Sequence, residues 1–209
     1  MRLPACPKRP GRPKNAAKRA AILAAASELF MRSGYEAVTM EAVAAAACVS
    51  KMTVYSHFGD KESLFVAVVR AFSARMLATT AAVPAGGGFG QRLETLGRSF
   101  LGLLLNPRAV RMRHTLGGVL SADPALAKRF YEAGPGHMRA ALATMIAAAM
   151  ACGDLRPDDP RLAAEDLLSL WTGDMQNCMA YGLLDPPTEE DVAARARRGT
   201  EVFLRAYRA

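Results

Sequence analysis

The sequence predicts an all-α chain, with a short N-terminal unit of three helices followed by a longer helical bundle. Three observations carry this expectation. Apolar residues return at helical spacing in one window after another; no window alternates with period two over a useful length; and the breaks between windows fall at capping and helix-stopping residues.

Ile22, Leu23, Ala26, Leu29 and Phe30 lie on one helical face, which Gly34 can end. Thr39 is a candidate N-cap for a short second helix over MEAVAAA, and Ser50 for a third over KMTVYSH, since a side-chain oxygen there accepts an otherwise unpaired backbone N–H. Asp60 can cap a longer helix with the stripe Leu64, Phe65, Val68, Val69, Phe72 and Met76. The stretch AAVPAGGGFG, residues 81–90, is the only glycine-dense segment and reads as a loop joining two structural units. Beyond it, RLETLGRSFLGLLL stops at Asn106-Pro107, and a second element stops near Asp123-Pro124. A third runs to Gly153 through Phe130, Tyr131, Met138, Leu142, Met145 and Ile146, with Gly134-Pro135 expected to kink or break it. DDP at residues 158–160 starts a helix through Leu167, Leu168, Leu170, Trp171 and Met175, and DPPTEED starts a last one to Tyr207.

A hydrophobic fraction of 51% over 209 residues is enough for a substantial core. The net charge of +8 favours a polyanionic partner. Much of it sits at the start, where Arg2, Lys8, Arg9, Arg12, Lys14, Lys18 and Arg19 precede any acidic residue. Cys6, Cys48, Cys152 and Cys178 are scattered without a C-x-x-C pair, which argues against a zinc site or a disulfide framework. The longest uncharged apolar run, Ala140 to Cys152, is shorter than the roughly 20 residues a bilayer span needs. A cytoplasmic protein with no membrane partner is the expectation. His57, His114 and His137 are far apart, and no nucleophile elbow, phosphate loop or paired-acid motif is present. The expectation is therefore no enzyme, no catalytic residue, no metal and no cofactor.

The densest group of hydrogen-bond donors is CVSKMTVYSHFGDKESL, residues 48–64. Two short helices joined by a tight turn, the second polar on its outer side, make a helix-turn-helix. Val43, Val49, Val54 and Phe58 can face Leu29 and Phe30, which leaves Ser50, Lys51, Thr53, Tyr55 and His57 outward. A major groove about 12 Å wide admits one such helix. Lys61 opposes the dipole of the helix it begins, unless an anion such as a DNA phosphate occupies that end.

GYEAVTMEAVAAAACVSKMTVYSHFGDKESLF, Gly34 to Phe65, with the helix of Lys18 to Arg32 before it, resembles the tetracycline-repressor (TetR) family of bacterial transcription regulators. The resemblance implies a second helix beginning at Thr39 and a recognition helix from about Ser50 to His57. It also implies phosphate contacts from Thr39, Tyr55, His57 and Lys61, with Lys51, Met52 and Thr53 nearest the bases. Cys48 stands where the family usually has glycine, which costs on the order of 1 kcal/mol if that turn needs positive φ. Upstream, KRPGRPK (Lys8 to Lys14) looks like an AT-hook core that would put Arg9 and Arg12 into an A·T minor groove; a basic tail adding only nonspecific attraction is the equal alternative.

Arg113 to Gly173 looks like the C-terminal regulatory domain of one TetR subgroup. The resemblance implies a small-molecule cavity and a homodimer paired through the last two helices, hence double-stranded DNA with a pseudo-palindromic operator and two recognition helices about 34–36 Å apart. Small residues at Ala163, Ala164, Ala193, Ala194, Ala196 and Gly199 permit close helix approach. Leu167, Leu168, Ala196, Val202 and Phe203 are the candidate interface. Arg98, Met112, His114, Tyr131, Trp171 and Met175 are the candidate pocket residues for an unidentified effector. The organisation so read is a basic flexible arm over 1–15, a helix-turn-helix domain over 16–62 and a regulatory and dimerisation domain over 63–209. The function expected is a ligand-responsive repressor, with a constitutive or architectural DNA-binding dimer as the alternative.

Overall fold

The computed structural model describes residues 13–83 and 87–209. The basic arm with Arg9 and Arg12 lies outside the described residues. Among these, all regular structure is helical apart from one isolated bridge between Leu155 and Arg208. In chain order the helices are α1 Pro13–Ala37, α2 Met40–Ala46, α3 Lys51–Phe58, α4 Lys61–Ala78, α5 Phe89–Leu104, α6 Pro107–Ala122, α7 Pro124–Ala133, α8 Pro135–Ala151, α9 Pro160–Thr172, α10 Met175–Ala180 and α11 Glu189–Tyr207.

Local chemistry sets most of these boundaries. Thr39, Ser50 and Asp60 each accept the backbone N–H three residues on, at 3.1, 3.1 and 2.6 Å. Asn106, Asp123 and Asp159 cap α6, α7 and α9, each followed by a proline at the first helical position, where no N–H is needed. Thr188 and Asp191 form a reciprocal capping box at the start of α11. Gly34, at φ 80° and ψ 169°, interrupts α1, a conformation that side chains with a Cβ rarely adopt.

Two boundaries differ from those read off the sequence, and a third falls where it was expected. Phe89 and Gly90, placed in the glycine-rich loop, begin α5, because Phe89 is drawn into the core. Gly134-Pro135 breaks the third element into α7 and α8, as expected; a Cβ at Gly134 would come within 2.8 Å of Val69 Cγ1. The helix expected to run through Met175 stops at Thr172, because Gly173 turns left-handed at φ 47°; Met175 instead starts α10.

Two hydrophobic cores result. The first gathers Ile22, Ala26 and Phe30 of α1, Val43 of α2, Val54 and Phe58 of α3, Leu64 and Phe65 of α4, and Leu116 of α6. The second gathers Leu93, Leu96 and Leu101 of α5, Leu142 and Ile146 of α8, Leu167 and Trp171 of α9, and Ala196 and Phe203 of α11. Helix α4 serves both, since Met76 and Leu77 at its far end pack on the second. By length and composition, residues 61–81 could also cross a bilayer, a property the count of uncharged residues misses because Arg70 and Arg75 interrupt the run. Here the segment is the strut between two cores.

Trp171 is fully buried between two glycines: a Cβ on Gly97 would meet its ring at 2.8 Å, and one on Gly199 at 2.6 Å. Its indole N–H donates to Thr200 Oγ1 at 3.1 Å. The small residues of α9 and α11 thus serve packing within the chain. This corrects the interface expectation for Leu167, Ala196 and Phe203, which have no exposed surface left to offer a partner. Leu168 and Val202 are half-buried.

Tyr207 closes the far end, its hydroxyl donating to Asp166 Oδ2 at 2.5 Å. That bond to a carboxylate, aided by burial, pushes the phenol up to about 12. An unfolded chain releases this proton near pH 10, whereas the fold retains it. Stability from this contact should therefore be complete below pH 10 and lost as the pH rises to about 12. Alkaline denaturation followed by circular dichroism should show a steeper loss in the wild type than in Tyr207→Phe.

Candidate nucleic-acid interface and cavity

Helices α2 and α3 are held at a fixed angle by the turn Ala47–Val49, in which Cys48 takes the left-handed conformation at φ 52°. Val54 and Phe58 anchor α3 in the first core, and their helical spacing leaves its opposite face to solvent. Met52 is 77% exposed and Tyr55 39%, Ser50 and Lys51 are exposed, and Thr53 and His57 are half-buried. Thr39, at the start of α2, is exposed as well. Every described residue assigned to DNA contact, half-buried Lys61 included, therefore keeps surface in solvent.

The surface is pre-organised by contacts the sequence did not announce. Lys51 is ion-paired with Glu41 across the two helices, and its Nζ lies 5.6 Å from the centre of the Tyr55 ring. The pairing draws the Glu41 carboxyl below the ordinary carboxylate range and pushes the Lys51 ammonium up. Ser50 and Thr53 share a 2.8 Å hydroxyl contact. Arg19 of α1 sits over the Phe58 ring at 5.1 Å, adding a cation beside α3. Sequence reasoning counted Arg19 only in the basic start of the chain and did not single out Glu41; both belong to helices other than α3, and only the folded arrangement brings them there.

Lys61 also has partners within the chain. Its Nζ donates to the Glu36 carbonyl at 2.8 Å and lies 4.6 Å from the Tyr35 ring centre. The end of α1 thus supplies the electron density that the sequence argument assigned to a phosphate, and partial burial lowers the ammonium pKa. Lys61 fastens α4 to α1.

A second feature lies between the cores. A cavity of about 340 Å³ is walled by residues of α1, α4 to α10, among them Phe72, Phe100, Met112, Phe130, Met138 and Leu168. Its polar lining consists of Ser73, Arg113, Arg139, Thr172 and Gln176. Ser73 donates to the Ala133 carbonyl, Thr172 to that of Leu168, and Arg139 pairs with Glu165 at 2.8 Å. Arg113 donates to the Leu104 carbonyl at 2.7 Å, where α5 ends. The amide oxygen of Gln176 accepts from the same guanidinium.

Residues 91–209 match the C-terminal domain of AefR-like transcriptional repressors, and residues 22–68 match the tetR family of bacterial regulatory proteins. The chain belongs to the TetR family. It is similar to the transcriptional repressor AcnR of Corynebacterium efficiens, 41% identical over 58 residues, 28% of this chain and 31% of that one. It is 43% identical over 53 residues to the transcriptional activator FasR of Mycolicibacterium smegmatis, 25% of this chain and 24% of that one. The chain thus spans under a third of these curated relatives. Whole-chain similarity extends to a solved TetR-family regulator from Mesorhizobium loti, at 26% identity, TM-score 0.76, covering 95% of this chain and 100% of that one. The flavonoid-responsive regulator FrrA follows at 30% identity and TM-score 0.64, covering 92% and 98%.

The cavity of this TetR-family chain is built from other residues than those named from its sequence. Of the candidates only Met112 lines it. His114 and Tyr131 are exposed, Trp171 is sealed in the second core, and Arg98 and Met175 line separate surface depressions. Leu168, assigned to pairing, is a cavity wall. The error has a simple cause: neighbours on a helix point about 100° apart, so a polar residue beside a wall residue faces elsewhere. Arg113 follows Met112 yet reaches the cavity because its long side chain folds back to Leu104.

Proposed function

We propose that the chain is a homodimeric, sequence-specific DNA-binding regulator of transcription in the cytoplasm, associated with the nucleoid, and a repressor released by a small-molecule effector. The observation that carries this is the accessible α3 face, with Ser50, Lys51, Met52, Thr53 and Tyr55 presented together on a rigid support. The family membership of both halves supports DNA as the target. The description of the matched C-terminal family as repressors favours repression.

Helix α6 gives the effector reading its physical basis. One side of it walls the cavity through Ala109 and Met112, while Leu116 is buried in the core of the head and Arg108 pairs with Glu28 of α1 at 3.2 Å. A ligand that displaces α6 necessarily strains the head it supports. Release then requires that the ligand bind the DNA-free arrangement more tightly than the DNA-bound one.

Pairing draws on the outward faces of α9 and α11, which keep the two helices but change the residues. Leu162 is 57% exposed, with Ser169 on the same side of α9 and Ala194, Arg198 and Glu201 on α11. Leu162→Arg should shift the sedimentation profile from dimer to monomer without changing helicity.

The deciding experiment is binding to the duplex flanking the protein's own gene, titrated at several salt concentrations against a scrambled duplex. The expected result is at least about a thousandfold preference for the genomic site. Equal affinity for both would leave a nonspecific binder.

A further inference from the structure

We propose that the cavity takes an amphipathic organic anion, a hydrophobic carboxylate whose headgroup is bound by Arg113 and whose body lies against Phe100, Met112, Phe130 and Met138. This rests on the effector reading above and narrows it to a chemical class.

The argument begins with an unbalanced charge. A guanidinium stays protonated in any protein environment. Among the described residues no carboxylate lies within ion-pair distance of Arg113; its partners are the Leu104 carbonyl and the Gln176 amide oxygen, both neutral. The end of α5 contributes only the partial negative charge of a helix C-terminus. Arg139, the other cation on the wall, is already neutralised by Glu165. Burial disfavours the Arg113 charge.

The hydrogen bonds leave room for a ligand. A guanidinium carries five N–H donors, and three are used, one by Leu104 and two by Gln176. Two remain, one on Nε and one on Nη1, and either can give a charge-assisted bond to a carboxylate oxygen. These same contacts hold the guanidinium in place before a ligand arrives, which lowers the entropy cost of capture.

The surroundings then choose between acids and neutral molecules. A neutral apolar ligand would shield Arg113 further from solvent and return nothing to the charge. An anion meets the same loss with a charge-assisted bond in a medium of low dielectric. Its remainder must be apolar, because the other walls are aromatic rings, methionines and leucines whose few hydroxyls already donate to carbonyls. If Arg113 were only a tie between the end of α5 and α10, the cavity would not distinguish an acid from its amide.

The test compares decanoate and 4-phenylbenzoate with their own carboxamides, on the full-length protein, by calorimetry and thermal shift. At least one acid should bind about tenfold or more tightly than its amide and raise the melting temperature. Arg113→Met should abolish that preference, and Arg113→Lys should keep part of it. Equal binding of acids and amides, no binding of either acid, or a preference that survives in Arg113→Met would overturn the proposal. The wild-type comparison decides even if a variant does not fold. Measuring operator affinity in parallel separates the two readings. Acids that bind through Arg113 without weakening the DNA complex would sustain this inference and end the effector reading; amides that bind equally and release DNA would do the reverse.

Discussion

Trp171→Ala should lower the midpoint of thermal unfolding by roughly 6–20 °C, the result of losing about 3–5 kcal/mol at roughly 2–4 °C per kcal/mol in a chain of this size. The ring has no exposed surface and fills the gap that Gly97 and Gly199 leave between α5, α9 and α11. Neither glycine can extend into the vacated space, so the cavity stays open and its walls lose their contacts. Thr200, fully buried, would also lose the indole donor at 3.1 Å. Trp171→Phe should cost less, because most of the volume is kept and one hydrogen bond is lost. Differential scanning calorimetry of the three proteins checks the order, and equal midpoints for wild type and Trp171→Ala would mean that the second core does not depend on this wedge.

Replacing Lys51 and Tyr55 together by alanine should weaken operator binding by on the order of 100-fold, since groove contacts are each worth about 1–3 kcal/mol. Folding should be little affected, because Lys51 is exposed and Tyr55 keeps 39% of its surface in water. The pairing of Lys51 with Glu41 adds a second, directional expectation. Lys51→Ala alone leaves the Glu41 carboxylate unpaired on the DNA-facing side, so it should be worse than Lys51→Ala combined with Glu41→Gln. Glu41→Gln alone frees the ammonium for the duplex and should raise affinity several-fold, with a steeper dependence on salt. Fluorescence anisotropy across a salt series compares the four variants with the wild type. Lys61→Ala belongs to a different class: its contact with the Glu36 carbonyl predicts a loss of head stability that outweighs any change in salt slope.

What was legible in the sequence follows the range of the interactions concerned. Caps and breakers act within four residues, so Thr39, Ser50 and Asp60 could be placed before the fold was known. The face of α3 was legible too, because Val54 and Phe58 fix which side turns inward. Long-range partners were not. Apolar stripes on α9 and α11 have the same composition whether they meet their own chain or a second copy; only the fold shows Phe203 and Leu167 turned inward. Cavity walls failed for the same reason, since they are drawn from α1 and α4 to α10 at once. Cys48 was a departure from the glycine usual in the family and does sit at positive φ, exposed at the hinge of the two short helices.

The burial of Leu116 bears on how such regulators can be recombined. The side chain comes from residue 116, well past the glycine-rich stretch that looks like a natural cut point, yet it completes the interior of the DNA-reading head. A fragment ending near residue 80 would carry an apolar hole open to water. A chimera that grafts this head onto another regulator's sensing half must therefore import a matching side chain at that place, or accept a head that reads its site poorly because it no longer holds its shape.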